Sequence, residues 1–148
     1  PGNIADDAAA LLGVAAELSD PETPFAAVGF CMGGRFALSA ACQSPRVRFA
    51  GAIHASQLAP LDGDGPHRHF ADVRGRIYIG AAGIDPSFDA EEHGRLARAL
   101  READTDHIIE NYRGAAHGWV FPDIPIYSAG AAARLMRRLQ ANLGELFA

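Results

Sequence analysis

Gly29-Phe30-Cys31-Met32-Gly33-Gly34 is the stretch that decides the fold of this chain. It stands between a short apolar run that ends at Phe30 and a segment of helical composition that begins at Arg35. Glycines two positions before and two positions after Cys31 permit a tight turn from a strand into a helix. Such a turn, a nucleophile elbow, lifts the side chain at its tip clear of the sheet. We therefore predict that Gly29 and Gly33 frame an elbow that presents Cys31.

A cysteine at this position has two interpretations. Free cysteine is most often a small buried hydrophobe, and for Cys42, inside the following helical segment, that interpretation is preferred. For Cys31 the glycine frame favours a nucleophile. The positive N-terminal end of the next helix also stabilises the thiolate form of this cysteine. The backbone N–H of Met32 is then placed to donate a hydrogen bond to an oxyanion.

A cysteine nucleophile needs a base, and the base needs a third group that orients it. His117 stands in the small-residue stretch Gly114-Ala115-Ala116-His117-Gly118, just beyond the last apolar run, and Asp85 follows the apolar run before it. The carboxyl ends of parallel strands meet at one edge of an open sheet. We therefore expect Cys31, Asp85 and His117 to converge there. Asp89 is the alternative acid, and Asp85 is preferred because it lies nearer the end of its strand.

The other five histidines are weaker candidates: His54, His67, His69, His93 and His107. His54 follows a predicted strand but has no glycine-rich loop. His67 and His69 form an H-x-H pair for which no third metal ligand is indicated. The stretch Asp62-Gly63-Asp64-Gly65 resembles the start of a calcium loop, but its later positions do not fit the EF-hand pattern. The sequence therefore predicts no metal site.

The rest of the chain alternates between helical and apolar segments. Helical periodicity predicts helices over 4–18, 35–41 and 90–103, and a final helix that Ser128 can cap. Short apolar runs predict strands over 25–30, 49–53, 77–82 and 107–112, and residues 56–75 are predicted to form a loop. This alternating order predicts a single α/β domain over residues 1–148. It has a mostly parallel sheet of about four strands with helices on both faces.

Composition limits the classes of function. With 148 residues, 49% hydrophobic and 21% charged, the chain is long enough to bury a core and too apolar for disorder. Its 13 basic residues, all arginine, face 18 acidic ones without forming a dense patch, which disfavours nucleic-acid binding. Arg134, Arg137 and Arg138 are expected to face water on the final helix. No apolar run is long enough for a membrane span. Two cysteines without a disulfide or zinc pattern favour a reducing compartment, the cytoplasm.

The chain resembles the dienelactone hydrolase family, α/β-hydrolases that commonly carry cysteine in the elbow. The resemblance rests on V-G-F-C-M-G-G at Val28–Gly34, G-I-D-P at Gly83–Pro86 and Y-R-G-A-A-H-G-W at Tyr112–Trp119. These three motifs stand in the family's order and spacing, and the resemblance extends over nearly the whole chain. It implies that a small-molecule ester or lactone is hydrolysed through a thioester on Cys31, without a cofactor.

The stretch after His117 departs from the family's pattern. Dienelactone hydrolases hold an anionic substrate with arginines, one of them shortly after the histidine, but Gly118–Ile126 contains no arginine. Trp119 and Phe121 are candidates to line an apolar acyl pocket, or else they belong to the core. Arg35 is a candidate for contact with an anionic substrate, and otherwise a solvated helix residue.

The front of the chain departs from the family as well. Family members begin with several strands before the helix that here starts at Ile4, and their second oxyanion donor comes from an early loop. Without those strands, residues 25–30 form the edge of a partial sheet with unpaired backbone groups. We therefore expect this to be the C-terminal part of a longer polypeptide, or to pair with a second chain that completes the sheet. Two alternative functions stay open: a general carboxylesterase or thioesterase, and a non-catalytic hydrolase-like interaction module.

Overall fold

A four-stranded parallel sheet forms the centre of the computed structural model, which describes residues 3–148. The strands are β1 (Phe25–Phe30), β2 (Val47–Ile53), β3 (Arg76–Ile84) and β4 (His107–Ala116). The α-helices are α1 (Ile4–Glu17), α2 (Gly33–Gln43), α3 (Ala90–Glu102) and α4 (Ala129–Phe147). Neighbouring strands in the sheet follow the chain order β1-β2-β3-β4, and every pair is parallel. The predicted α/β class and its parallel sheet are confirmed.

Several segments extend by one to two residues beyond one or both of their predicted ends, and two segments differ more. β4 continues four residues beyond its predicted end at Tyr112 and so reaches the residue just before His117. The segment 56–75, predicted as loop, contains a short 3₁₀ helix at Pro66–Asp72. A proline starts this helix, where its fixed φ suits the first helical turn and its missing N–H is not needed.

The helix N-termini show which polar residues act as caps. Asn3 caps α1 as its position suggests, since its side chain accepts a hydrogen bond from the Ala5 N–H at 3.1 Å. Ser128 occupies the N-cap position of α4, but its side chain makes no capping hydrogen bond, so that prediction was wrong in its detail. Across residues 3–148, none of the helices combines the length and the apolarity needed to cross a bilayer.

Helices cover both faces of the sheet, as predicted. α1, α2 and α3 contribute to a buried cluster on one face, which includes Leu38, Ile79, Leu96 and Leu100. α4 covers the other face, where Leu135 and Leu139 pack with Phe49, Tyr78, Tyr112 and Trp119. Burial of apolar surface stabilises a fold by roughly 25 cal/mol per Å². The two inner strands, packed on both faces, therefore give a firm base to the loops at their carboxyl ends.

β1 lies at the edge of the sheet and pairs only with β2 among the described residues. An open apolar groove of about 750 Å³ runs along β1 between α1 and α2. Apolar residues of α1 border it, among them Leu11, which is 64% exposed. Leu18, just beyond the end of the helix, is 83% exposed. The amphipathic helix predicted over 4–18 is thus present, but most of its large apolar side chains are exposed.

Two arginines of α4 do more than face water. Glu110 on β4 is 9% exposed and accepts hydrogen bonds from Tyr78 Oη at 2.8 Å and from Arg134 Nε at 2.6 Å. Arg138 Nε lies 3.2 Å from the same carboxylate. Burial favours a raised pKa for Glu110, but these donors outweigh it and hold the pKa below its usual value. The expectation of solvated arginines missed this ion pair, which ties α4 to β4.

Candidate active site

Cys31 stands at the tip of the turn between β1 and α2, and its side chain is accessible. Its backbone φ is 53°, in the left-handed region that residues other than glycine rarely adopt. The Cys31 N–H donates to the Ile53 carbonyl at 3.0 Å, and the Gly34 N–H donates to the Cys31 carbonyl at 3.1 Å. A strained turn of this kind, held by its neighbours, presents the thiol at the carboxyl end of β1.

Close packing explains two of the glycines around this turn. A Cβ at Gly29 would lie 1.8 Å from the Gly33 carbonyl oxygen, so no other residue fits there without moving the turn. A Cβ at Gly34 would lie 2.4 Å from the Cβ of Ala55. At Gly33, the first residue of α2, an added Cβ would meet nothing within 4 Å. The second sterically required glycine is therefore Gly34 rather than Gly33.

Met32 occupies the N-cap position of α2, directly after Cys31. Within residues 3–148, its backbone N–H has no hydrogen-bond acceptor. Its side chain is largely exposed and makes no capping contact. An unpaired N–H beside a thiol, at the positive end of a helix, suits a developing negative charge.

β3 and β4 end side by side and place an acid next to a base. The register pairs Ile84 with Ala116, so the residues that follow, Asp85 and His117, leave the sheet together. The His117 N–H donates to the Ile84 carbonyl at 3.3 Å. Gly118 then turns the chain with a φ of 93°, which explains the glycine after the histidine.

Cys31, His117 and Asp85 form a continuous series of contacts. His117 Nε2 lies 3.2 Å from Cys31 Sγ, and His117 Nδ1 lies 2.7 Å from Asp85 Oδ2. The other carboxylate oxygen of Asp85 accepts from Ser87 N–H at 3.0 Å and from Ser87 Oγ at 2.5 Å. The side chains predicted to converge at this edge therefore do so.

The electrostatics of Asp85 suit an orienting group. Its side chain is 2% exposed. Burial works to raise the pKa of Asp85, but hydrogen bonds from Ser87 and His117 outweigh it and hold the pKa below its usual value. A carboxylate that stays ionised selects the Nδ1–H tautomer of His117, which leaves Nε2 free to accept a proton from the thiol.

Ser87 and His54 also lie in this site. Ser87 is not among the residues predicted from the sequence, and His54 is one of the weaker candidates. The sequence order Asp-Pro-Ser indicates the contact with Ser87, because an aspartate side chain often accepts a hydrogen bond from the backbone N–H two residues later. His54 follows β2, its side chain is 1% exposed, and its ring centroid lies 4.9 Å from that of His117. The signal for His54 is its place at the same edge of the sheet, directly after a buried strand.

The three predicted pocket residues take different positions. Arg35 Nη1 donates to Gln57 Oε1 at 2.9 Å, so a neighbouring loop holds its guanidinium. Trp119 is fully buried and stacks on another core ring at 4.8 Å between centroids, so it is a core side chain and not a pocket wall. Phe121 is 43% exposed and packs on Phe30 at 5.9 Å, which leaves it accessible near the end of β1.

The remaining candidates lie apart from these contacts. Asp89, the alternative acid, caps α3 by accepting from the Glu92 N–H at 2.7 Å. His69 Nε2 contacts Asp64 at 3.2 Å on the surface. In the part of the chain that the structure describes, no three His, Cys, Asp or Glu side chains converge as metal ligands would.

Comparison with known proteins agrees with the motifs and the fold. The model of the dienelactone hydrolase family matches residues 1–147. A Klebsiella pneumoniae structure, named as a candidate dienelactone hydrolase, has a TM-score of 0.81 at 21% identity over 95% of this chain. A dienelactone hydrolase-like promiscuous phosphotriesterase from metagenomic libraries has a TM-score of 0.70 at 22% identity over 82% of this chain. No individually curated protein matches the sequence.

These structures are longer than the chain. The chain covers 60% of the Klebsiella pneumoniae protein and 52% of the phosphotriesterase. An alpha/beta hydrolase enzyme from a deep-sea metagenome library matches with a TM-score of 0.72 at 13% identity. The match covers 97% of this chain and 63% of the chain of that enzyme. At these identities the structures show a shared fold.

Proposed function

The chain belongs to the dienelactone hydrolase family, and on that premise we propose that it hydrolyses a carboxylic ester or lactone through a thioester on Cys31. The observation that supports this most is the unbroken series from Cys31 Sγ through His117 to Asp85, with contacts of 3.2 Å and 2.7 Å. Nucleophile, base and orienting acid at hydrogen-bond distance are what acyl transfer requires. Membership in a hydrolase family supports an enzyme in general; the cysteine mechanism is our proposal.

In the first half of the proposed reaction, His117 Nε2 takes the proton of the Cys31 thiol and the sulfur attacks the substrate carbonyl carbon. The carbonyl oxygen becomes an oxyanion, to which the Met32 N–H donates. Collapse of this intermediate breaks the bond to the leaving oxygen, which receives the proton from His117. From an ester it departs as an alcohol, and from a lactone it stays on the opened acyl chain as a hydroxyl group. Asp85 stabilises the imidazolium throughout.

In the second half, water attacks the thioester. His117 takes a proton from the water, the hydroxyl oxygen bonds to the acyl carbon, and the bond from carbon to sulfur breaks. The proton on His117 passes to the sulfur, so that the acid product leaves and the thiol is restored. The mechanism needs a free thiol on Cys31, for which a reducing compartment, the cytoplasm, is the suitable location.

Several acyl substrates fit this chemistry, and they differ in the charged or apolar contacts that they need at the site. A lactonase on an anionic substrate needs a cation at the site, and the candidate, Arg35, keeps its charge but has one guanidinium nitrogen engaged with the neutral amide of Gln57. A general carboxylesterase or thioesterase needs an apolar wall, for which Phe121 is the accessible candidate. We therefore propose a small ester or lactone as the substrate and expect neutral esters to be accepted as well as lactones.

The proposed mechanism also needs a second N–H donor for the oxyanion, besides that of Met32. We propose that a preceding segment of the polypeptide, or a second chain, pairs with the outer edge of β1 and supplies it. Three observations support this: the unpaired edge of β1 among the described residues, the apolar groove of about 750 Å³ beside it, and the greater length of the structures with this fold. Covering such an edge also removes a site of aggregation.

Burst kinetics with p-nitrophenyl acetate test the proposal, with an unsaturated lactone as the second substrate. The expected result is a burst of nitrophenol equal to the enzyme concentration, followed by turnover. A burst without turnover means acylation in a site that lacks its second oxyanion donor. Absence of both, for esters and lactones alike, contradicts the proposal and favours a non-catalytic interaction module.

A further inference from the structure

His54 has no part in the mechanism above, although it lies in the site. Its side chain is 1% exposed, and neither ring nitrogen has a hydrogen-bond partner among residues 3–148. Leaving a buried polar atom unpaired is destabilising, and an apolar side chain in this place avoids that cost. Packing alone therefore does not account for a histidine here.

The backbone of His54 is strained as well. Its φ is 38°, in the left-handed region, and its N–H donates to the Gly80 carbonyl at 2.8 Å, which extends the pairing of β2 with β3. Strained residues of this kind are destabilising and cluster at active sites. Two destabilising features thus coincide in one residue beside the His117 ring.

The ring of His54 is enclosed by other rings. Its centroid lies 5.1 Å from that of Trp119, 5.6 Å from that of Phe121 and 5.9 Å from that of Phe30. Trp119 is fully buried, so this enclosure is anchored in the core. The remaining ring contact is with His117, at 4.9 Å. A ring fixed by its other neighbours limits how far the His117 ring can swing away from Cys31.

The charge of His54 is compatible with this contact. Burial first, and the nearby His117 second, lower the pKa of His54 to about 4, while its backbone hydrogen bond and Asp85 oppose the shift. The ring is therefore neutral near pH 7. A neutral His54 places no positive charge beside the His117 imidazolium of the proposed mechanism.

We propose that His54 is a positioning residue, whose enclosed ring holds the His117 imidazole in place between Cys31 and Asp85. The proposal rests on the proposed function, because it concerns the same pair of thiol and imidazole. Loss of the ring frees His117 to rotate, and small misplacements of a catalytic group slow a reaction by up to about a hundredfold.

His54→Asn tests the proposal, because asparagine tolerates a left-handed backbone but carries no ring. We expect kcat for p-nitrophenyl acetate to fall about tenfold to a hundredfold while KM changes less than about threefold. The rate of Cys31 alkylation by iodoacetamide at pH 6.5 should fall by a similar factor. His54→Phe keeps an enclosed ring, although phenylalanine fits a left-handed backbone less well; with an intact fold by circular dichroism, it should stay within about threefold of the unsubstituted protein in both measurements.

His93→Asn is the matched control, since His93 also has a buried unpaired nitrogen but packs on Phe88 instead of His117. It should leave kcat and alkylation unchanged. If His54→Asn does not fold, His54→Gln carries the same expectation. Unchanged rates without the ring, or equal losses in His54→Phe and His54→Asn, would overturn the inference. Failure of the unsubstituted protein to hydrolyse esters or to alkylate at Cys31 instead contradicts the proposed function.

Discussion

Cys31 and Cys42 lie at opposite ends of α2, eleven positions apart, and their surroundings differ in every respect that controls thiol chemistry. Cys31 precedes the helix, is accessible, has a left-handed backbone and lies 3.2 Å from His117 Nε2. Cys42 lies in the last turn, and its thiol donates to the Pro66 carbonyl at 3.7 Å. Burial first, and the nearby Asp72 second, raise the pKa of Cys42 to about 12.

The difference shows that the fold, and not the residue type, decides which thiol can react. The N-terminal end of a helix offers unpaired N–H groups and a partial positive charge, whereas the C-terminal end offers neither. A base is also present at one end only. Changes at Cys31 and its partners should therefore affect ester hydrolysis strongly, and changes at Cys42 should hardly affect it.

Removal of the accessible thiol should have the largest effect. Cys31→Ala leaves no nucleophile, so hydrolysis of p-nitrophenyl acetate should fall by at least about a thousandfold, measured as kcat/KM. Circular dichroism should show an intact fold, because the side chain is exposed. Residual activity within tenfold of the unsubstituted protein is the result that the mechanism does not permit.

Loss of the orienting acid should come next. Asp85→Asn removes the charge that holds Nδ1–H of His117, and kcat should fall about a hundredfold to ten-thousandfold. Asp89→Asn is the matched control, because Asp89 caps α3 and asparagine is an equally good N-cap. Its activity and stability should be unchanged. Equal losses of kcat in the two variants would show that Asp85 is not the acid that orients His117.

The elbow itself can be broken without touching the thiol. Gly29→Ala places a Cβ 1.8 Å from the Gly33 carbonyl oxygen, so the turn must move and kcat should fall about tenfold or more. Gly33→Ala meets no atom within 4 Å and should stay within about threefold. Both are measured by initial rates, with thermal unfolding to follow stability. A harmless Gly29→Ala would show that the turn does not position Cys31.

Changes at the other thiol should have the smallest effect. Cys42→Ala should alter hydrolysis less than twofold and lower the free energy of unfolding by about 1 kcal/mol. Because the pKa of Cys42 is about 12, only about a thousandth of it is thiolate at pH 9. Iodoacetamide should therefore spare Cys42 in the folded protein and label it in urea. Rapid labelling of folded Cys42 at pH 8 would show that the thiols of Cys31 and Cys42 do not differ in reactivity.

The sequence predicted the elements and the convergence of Cys31, Asp85 and His117 because both depend on local signals. A strand that ends at a known residue fixes which side chain leaves the sheet first, and parallel strands share one edge. Glycine spacing identified the turn, although the steric requirement lies at Gly34 and not at Gly33. The catalytic roles of the three side chains are still a prediction.

Other features depend on contacts between distant segments, which periodicity does not encode. The sequence could not show the contacts of His54, because its partners come from β1 and from the chain after β4. Trp119 was a possible pocket wall, and only packing shows it to be fully buried. The exposed apolar residues of α1 have the composition of a buried face, and composition alone does not say whether a partner covers them.

Identification of the acylated residue is the most direct test of the central claim. The protein is mixed with p-nitrophenyl acetate, quenched in acid during the burst, and mapped by peptide mass spectrometry. The account predicts one acetyl group, on the peptide that contains Cys31, labile to neutral hydroxylamine as a thioester is, and absent after prior alkylation. An acetyl group on a serine instead, or hydrolysis that continues with Cys31 fully alkylated, would contradict it.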